Sequence, residues 1–518
     1  MPANMMQMKK FFFEKSINKL HKLNPLLKHS RPGLGIILIS FIFILLSSFL
    51  VNQDPPDADT GHLMEIVSYM ASPGLEGRQA GSPGLVKAAE FAVSLFEKFG
   101  LMPAGDRGFY QDFQLEYNLI LSGSIMKLID SNGLETEPEL GKEYSFRGFT
   151  GAGKTRAEVI FAGYGISHPD IGYDDYFNID AQDKIVMVFK ANPSWKIDNE
   201  NWGEGSIRSK AATARKNGAK AIIFLPTSSG WHSRMPIGSV MDGEGVHLID
   251  FPQLEIGKEL ADKLLEELGF TLAEMQEKID SEKKPASIKI GRQVFIDVKT
   301  EYMANQPTVN VVAMLPGSHP DLKDEYIVIG AHMDHVGIQA GKVYYPGAND
   351  NASGTAAVIE LARMFSTLET KPARSVLFVL FDAEECGLKG ATHFVENSPV
   401  AHDKIVAMLN FDCIAHGDSI QIGSGLSNPD LFEIAKNTDR SGLLVGNTWK
   451  GGGADATPFY NAGIPTLYFV TRDSYTYLHL PGDTPETLNP RLFTSVVQLG
   501  FDIALKVANG DYTREKVF

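Results

Sequence analysis

At 518 residues the chain holds material for about three to four domains at roughly 150 residues each, and its 43% hydrophobic and 21% charged residues exclude wholesale disorder and collagen-like repetition. The formal net charge of −15 is uneven: residues 1–31 carry seven Lys/Arg against the single acid Glu14, which leaves −21 on the rest. An acidic body of that size repels phosphate backbones and argues against nucleic acid as a partner, and two cysteines, Cys386 and Cys413, exclude a disulfide scaffold or a cysteine zinc finger.

Residues 34–51 (LGIILISFIFILLSSFLV) are apolar apart from serines, enough to span a hydrocarbon core as a helix. The basic segment before them is expected to stay cytoplasmic, which exports everything after Asn52 to the periplasm or the cell exterior. A cleaved signal peptide is the alternative; the long basic region and the lack of an A-x-A-like site speak against it. The chain is therefore divided into a cytoplasmic segment 1–31, an anchor or signal segment 32–52 and an exported body.

In the body, apolar residues at helical spacing predict helices over 60–72 and 84–99, with the turn-rich LEGRQAGSPG between them. From 118 to 298 short β-like runs (AEVIFAGYGI, DKIVMVFKA, KAIIFL, ASIKI) alternate with loops and one helix, Ser206–Asn217, and read as a separate β-rich module. Gly148–Thr155 (GFTGAGKT) is a literal phosphate-loop pattern, but that chemistry needs a helix after the lysine. A β-like run follows instead, so the segment reads as a glycine-rich connection and no nucleotide is expected. After 299, the strands NVVAML, YIVIG, SVLFVLF, IVAMLNF and TLYFVT alternate with helices at 353–367, 388–397, 429–440 and 490–508. Apolar strands separated by helices predict an α/β fold with a mostly parallel central sheet flanked by helices on both faces. The two early helices belong with it, giving a catalytic domain of 53–117 plus 299–518 with 118–298 inserted.

Several ionisable residues sit just past the carboxyl ends of these strands, where open α/β sheets bind ligands. His332 and Asp334 follow YIVIGA, Asp350 lies in PGANDNASG before a helix, and Glu384 and Glu385 follow SVLFVLFDA. Asp412 closes VAMLNF, and His479 sits in YLHLPGDT. Two histidines with several carboxylates suit a borderline-to-hard divalent metal, above all zinc, and one carboxylate can bridge two ions about 3.5–4 Å apart. Taken singly each has a plainer role. An Asp before a helix is commonly its N-cap, and paired glutamates are commonly solvated, although a strand buried on both faces is a poor place for idle charge. Cys386 and Cys413 read as small buried packing residues.

GAHMDHVG, GANDNASG, FDAEECGLKG, NFD and HLPGDTPETLN resemble, in order and interval, the motifs of the M28 metallopeptidases, the dizinc aminopeptidase clan. The resemblance covers about residues 60–518, and LEGRQAGSPG, PAGDRGFYQDF and ADATPFYNAGIP resemble its bacterial aminopeptidases. The inserted module, with YDDY, DKIVMV and ARKNGAKAIIFL, resembles a protease-associated (PA) domain. The resemblance implies that Asp350 bridges two zinc ions, His332 and Asp412 completing one and Glu385 and His479 the other. It makes Glu384 the general base that takes a proton from a metal-activated water and delivers it to the leaving amine, and Asp334 the residue that orients His332. Neighbouring residues of a strand point to opposite faces, so Glu384 and Glu385 can divide these tasks only if the chain bends after Phe381.

Two departures from the family pattern stand out. Ala454-Asp455-Ala456 replaces S-D-H, and Leu478 stands where many relatives have Tyr, leaving Tyr475 and Tyr477 as candidate hydroxyl donors. The implied function is an exported, membrane-tethered dizinc exopeptidase acting on the amino ends of peptides. The alternatives are a carboxypeptidase of the same clan, which needs a cation such as Arg440, Lys450 or Arg472 for the substrate carboxylate, a glutaminyl-cyclase-like acyltransferase, which typically uses one zinc, and an inactive PA-containing receptor or adaptor.

Overall fold

The computed structural model describes residues 55–514 apart from 201, 203–205, 229–240, 242 and 244. The basic segment and the apolar run 34–51 lie outside these residues; among the described ones no helix is long and apolar enough to cross a membrane.

Eight strands form the central sheet, in the order Met102–Pro103, Thr300–Leu315, Ser375–Phe381, Tyr326–His332, Ile405–Phe411, Thr466–Thr471 and Ile420–Gly423, with Tyr110–Ile120 also paired to Thr300–Leu315. The four strands from Ser375–Phe381 to Thr466–Thr471 run parallel, whereas the pairings on either side are antiparallel. The expectation of a mostly parallel sheet is thus corrected to a mixed sheet with a parallel centre. The reason is the short, helix-free link 316–325: a parallel return needs a crossover of a dozen or more residues, so Thr300–Leu315 takes the antiparallel direction beside Ser375–Phe381.

Ser375–Phe381 and Ile405–Phe411 are buried at every position, and period-two alternation divides their side chains between two cores. Val376, Phe378 and Leu380 pack with Ile327, Ile329 and the helices Thr60–Met70, Pro83–Lys98, Ser353–Ser366 and Pro490–Ala508. Leu377, Val379 and Phe381 point the other way, toward Lys389–Glu396 and Ala456–Asn461. Local signals set the helix starts: Ser82 and Asn489 cap the backbone N–H of Leu85 and Leu492, each followed by proline at the first helical position.

The second sheet has eight strands as well, ordered Glu135–Thr136, Ile125–Ile129, Ile288–Val298, Gly153–Phe161, Ile185–Phe189, Ala221–Leu225, Gln253–Ile256 and Tyr144–Phe146. An antiparallel ribbon, Tyr110–Ile120 against Thr300–Leu315, carries the chain out to it and back, with Tyr110 opposite Val311 and Ile120 opposite Thr300. The single helix expected here is corrected to three: Ile207–Lys216, Lys258–Leu265 and Leu272–Glu282. The two additional ones are short and rich in charge, yet Leu260, Ala261, Leu264 and Leu265 form a buried stripe, and Thr271 and Glu274 make a capping box. Gly148–Thr155 leads into the strand Gly153–Phe161, not into a helix, and its carbonyls at Gly148 and Thr150 accept from the Asn118 amide.

The edge of this sheet is pinned by a buried charge cluster. Glu255 is fully buried and receives Arg147 Nη1 at 2.7 Å and Lys190 Nζ at 2.6 Å. Glu255→Gln strands both cations without their counter-charge, and the expected loss is about 3–5 kcal/mol of unfolding free energy, measured by urea denaturation; a loss below 1 kcal/mol contradicts this role. One contact between the modules falls on the segment after His335. The Gln339 side chain pairs with both the N–H and the C=O of Phe146, at 3.2 and 3.0 Å.

Candidate metal centre

The parallel strands end together, and their C-terminal residues open into turns whose backbones are held in uncommon conformations. Strand Tyr326–His332 ends at His332 itself. Past Phe381 the chain bends at Ala383, which adopts φ 59°, and this bend carries Glu384 and Glu385 off the strand direction. Cys413, next to Asp412, has φ 54°, as does His479. Positive φ at residues other than glycine costs free energy and persists where the surroundings over-determine it.

These turns bring five residues together around Asp350. His332 Nε2 lies 3.5 Å from Asp350 Oδ1 and 3.3 Å from Asp412 Oδ1. On the other side of the same carboxylate, His479 Nε2 lies 3.2 Å from Asp350 Oδ2 and 2.7 Å from Glu385 Oε2. His335, which the sequence reading did not select, joins this second group, its Nδ1 3.1 Å from Glu385 Oε1 and 3.6 Å from Asp350 Oδ2. Two clusters with metal-binding geometry result, His332–Asp350–Asp412 and His335–Asp350–Glu385–His479, sharing Asp350 through different oxygens. Glu384 belongs to neither.

The donor set fits zinc. Zinc with nitrogen and oxygen ligands at about 2.0–2.2 Å in a tetrahedron has donor–donor edges of roughly 3.4 Å, close to the 3.2–3.6 Å separations between Asp350 and the three histidines. Asp350 Oδ2 and His335 Nε2 are buried with no hydrogen bond. Burying this many like charges without a counter-charge is costly, and the ionisation of the groups records that tension. Burial and the charge of Glu385 raise Asp350. Burial, Glu385, Asp455 and Asp412 push Glu384 well above the usual carboxylate range. Burial opposes the charged forms of His332 and His479, but the surrounding carboxylates win and raise both well above the ordinary imidazole value. Two dications would relieve this excess of negative charge.

A second ring of residues fixes the donors. Asp334, fully buried, accepts the N–H groups of Glu384 and Glu385 at 3.1 and 3.3 Å, and its Oδ1 lies 3.5 Å from His332 Nδ1. It therefore holds the Glu384–Glu385 turn as well as the imidazole it was expected to orient. Asp350 does not cap the helix that follows, whose N-cap position is Ala352; the Asn351 side chain accepts from Gly354 N in its first turn at 2.7 Å. Asp483 accepts the N–H groups of Asn349 and Asp350, both at 2.9 Å, and burial lifts its carboxyl to about 6 against the lowering effect of His335 and of these two N–H groups. Asp483→Asn can accept only one of these N–H groups and turns a donor toward the other, so metal affinity is expected to fall about 10–100-fold; unchanged zinc competition against a chelator refutes that role.

Arg78 of LEGRQAGSPG is fully buried and donates to the carbonyls of Met333 and Gly347, both at 2.9 Å, and to Met70 and Pro346. Those carbonyls flank His332 and Asp350, so one guanidinium ties the two loops together and adds a positive charge beside the carboxylates. His335, Asp483 and Arg78 all stand inside motifs quoted from the sequence. The signal that could have selected His335 is its place three residues after His332 in the same strand-end segment.

Of the candidate aromatic hydroxyls, Tyr475 lies 3.0 Å from Tyr468 OH, which donates to Asp412 Oδ2 at 3.3 Å. Tyr477 packs against the His416 ring instead. Asp455 is fully buried with both oxygens free of hydrogen bonds. Cys386 and Cys413 are free, buried and packed among apolar side chains.

Comparison with known proteins agrees with this centre. Residues 310–503 match the model of peptidase family M28. Aminopeptidase YwaD of Bacillus subtilis is 24% identical over 365 residues, which span 67% of each chain. A glutamate carboxypeptidase 2 homolog of Caenorhabditis briggsae is 31% identical over 43% of this chain, a stretch that spans 32% of the relative's length. Among solved structures, BSAP, a zinc aminopeptidase from Bacillus subtilis, shares the fold with a TM-score of 0.60 at 19% identity, covering 90% of this chain and 99% of that one. The five motifs from GAHMDHVG to HLPGDTPETLN lie in the matched segment and converge on one sheet edge, so residues 310–503 carry the metallopeptidase centre of peptidase family M28.

Proposed function

We propose that this M28 metallopeptidase is an exported zinc aminopeptidase that removes residues from the amino ends of peptides. The observation that carries the reading is the pair of donor groups sharing Asp350, with Glu384 beside them and outside both. When bound there, zinc polarises the scissile carbonyl and lowers the pKa of the attacking water. His332, Asp350 and Asp412 hold one ion; Asp350, Glu385 and His479 hold the other. Glu384 accepts the proton of the attacking water and passes it to the leaving amine, work for which its raised proton affinity suits it. Asp334 keeps the Glu384 turn and the His332 ring in register, and Tyr468, backed by Tyr475, orients Asp412.

Attack at the amino end is supported by the breadth of the match to an aminopeptidase, 67% of each chain, and by the acidic walls of the site, which suit a substrate ammonium group. A carboxypeptidase reading is favoured by the 31% identity to the glutamate carboxypeptidase homolog and needs a cation for the terminal carboxylate. Arg440 is tied to Asp502 at 2.8 Å, which leaves Lys450 and Arg472 for that task. The module 118–298 acts on this reading as a protease-associated domain that shapes the cleft, bracing through Gln339 and Phe146 the segment that follows His335. The apolar run 34–51 anchors the body on the outer side of the membrane. Incubating residues 53–518 with zinc and a mixture of defined peptides, followed by mass spectrometry, tests the reading. Stepwise loss from the amino end that a chelator abolishes is the expected result; loss from the carboxyl end transfers the assignment to carboxypeptidase.

A further inference from the structure

Resting on the reading of Glu384 as the proton carrier, we infer that Asp382 is a positioning residue for it: this carboxylate fixes the bend at Ala383 and ties it to the ribbon that carries the inserted module. Glu384 works only within hydrogen-bond reach of the attacking water, and the backbone that places it does not hold itself. Ala383 adopts φ 59° without being a glycine, a conformation that persists only where the surroundings impose it.

The N–H groups that follow the strand are divided between two buried carboxylates. Asp334 takes those of Glu384 and Glu385. Asp382 takes that of Ala383 through Oδ1 at 2.7 Å, and that of Gly81 in LEGRQAGSPG. Its Oδ2 accepts the Thr308 hydroxyl, and its own N–H donates to Asn310 Oδ1 at 3.0 Å. Both aspartates are fully buried, and the charge of Asp334 acts on Asp382. A second carboxylate buried beside the first is costly, and an apolar residue would end this strand without that cost.

The ribbon meets the bend in register. Backbone pairing between Thr300–Leu315 and Ser375–Phe381 stops where Val311 faces Leu380, and beyond that point side chains take over. Gln306, Thr308 and Asn310 alternate along their strand and so share one face. Gln306 donates to Gly81 O at 2.8 Å, Thr308 donates to Asp382, and Asn310 accepts the Asp382 N–H. The Asn310 amide in turn donates to Gln111 Oε1 at 3.0 Å and to Gly390 O at 2.9 Å. The start of the helix Lys389–Glu396 closes the remaining space: a Cβ on Gly390 would stand 2.0 Å from Asp382 O and 2.5 Å from Asn310 Oδ1. The bend thus has no slack toward the helix, and the ribbon sets its other side. Since that ribbon leads to 118–298, the placements of the inserted module and of Glu384 are linked through one aspartate.

The test is steady-state kinetics with metal analysis on the zinc-loaded full chain, using a peptide that the wild type cleaves. Asp382→Ala, Asp382→Asn and Thr308→Val are made in the wild type and in Glu384→Gln. Asp382→Ala is expected to lower kcat about 100-fold, the effect of a misplacement on the order of 1 Å, with KM and zinc content unchanged. Asp382→Asn should recover most of that rate, because its oxygen can take the Ala383 N–H while its amide donates to Thr308 Oγ1. Thr308→Val keeps the side-chain shape and is expected to lower kcat about tenfold; it carries the test if near-UV circular dichroism shows that Asp382→Ala does not fold. In the Glu384→Gln background each substitution should change the residual rate by less than about threefold, since residues that act through one another are not additive. An equal loss in that background overturns the inference, because Asp382 then acts without Glu384. Wild-type kcat in Asp382→Ala or in Thr308→Val also overturns it, as does loss of zinc, which assigns Asp382 to the ligand Glu385 instead. Full activity of Glu384→Gln with zinc bound is a separate result that overturns the reading of Glu384 itself, and this inference with it.

Discussion

Glu384→Gln is expected to leave two zinc ions bound and to lower kcat by about 10²–10⁴-fold, the range typical of losing a general acid–base group. The substitution keeps the shape of the side chain and removes its ability to take a proton. Neither donor group includes Glu384, so metal content should not change. The backbone N–H of residue 384 still reaches Asp334 Oδ1 at 3.1 Å, which preserves the turn and the neighbouring ligand Glu385. Metal analysis beside steady-state kinetics separates the outcomes. Full activity with metal bound removes Glu384 from the mechanism, whereas lost activity together with lost metal reassigns it to the donor set.

Asp350→Ala should act on both positions at once. Its two oxygens face different histidines, Oδ1 toward His332 and Oδ2 toward His479, and among the described residues Asp350 alone belongs to both donor groups. Affinity at each position is expected to drop by more than about 100-fold, beyond what loss of a ligand's supporting partner produces, and activity should fall below detection. Stability reports the same loss. Zinc at a hundredfold excess over its Kd adds about 2.7 kcal/mol per site to the native protein, so zinc should raise the Tm of the wild type and leave that of Asp350→Ala unchanged. A variant that still binds one ion at wild-type affinity contradicts the bridging role.

The apolar runs and helix caps made much of the fold readable in the sequence. Helices expected over 84–99, 353–367 and 490–508 occur at Pro83–Lys98, Ser353–Ser366 and Pro490–Ala508; Ser82 and Asn489, each followed by proline, mark the starts of the first and the last locally. Strand direction was not readable in the same way. SVLFVLF and NVVAML are both apolar runs, and only the length of the link 316–325 and the return from the inserted module make one parallel and the other antiparallel to Tyr326–His332. The two charged helices at Lys258–Leu265 and Leu272–Glu282 escaped the sequence reading, because their many charged residues mask the short apolar stripe.

At the metal centre the sequence by itself determined the residue types and their positions at strand ends: His332, Asp334, Asp350, Glu384, Glu385, Asp412 and His479 all stand where a strand gives way to a turn or just beyond it. Tertiary structure decided what sits between them. His335 looks like any loop histidine until the Gly77–Arg78 backbone pins it beside Glu385, and Arg78 and Asp483 have no visible purpose until the carbonyls and N–H groups they bind are seen to flank His332 and Asp350. The physical reason is that a metal ligand is chosen by its own chemistry, which the residue name carries. A positioning group is chosen by the chain segments it holds together, here separated by more than 100 residues, and only folding brings them into contact.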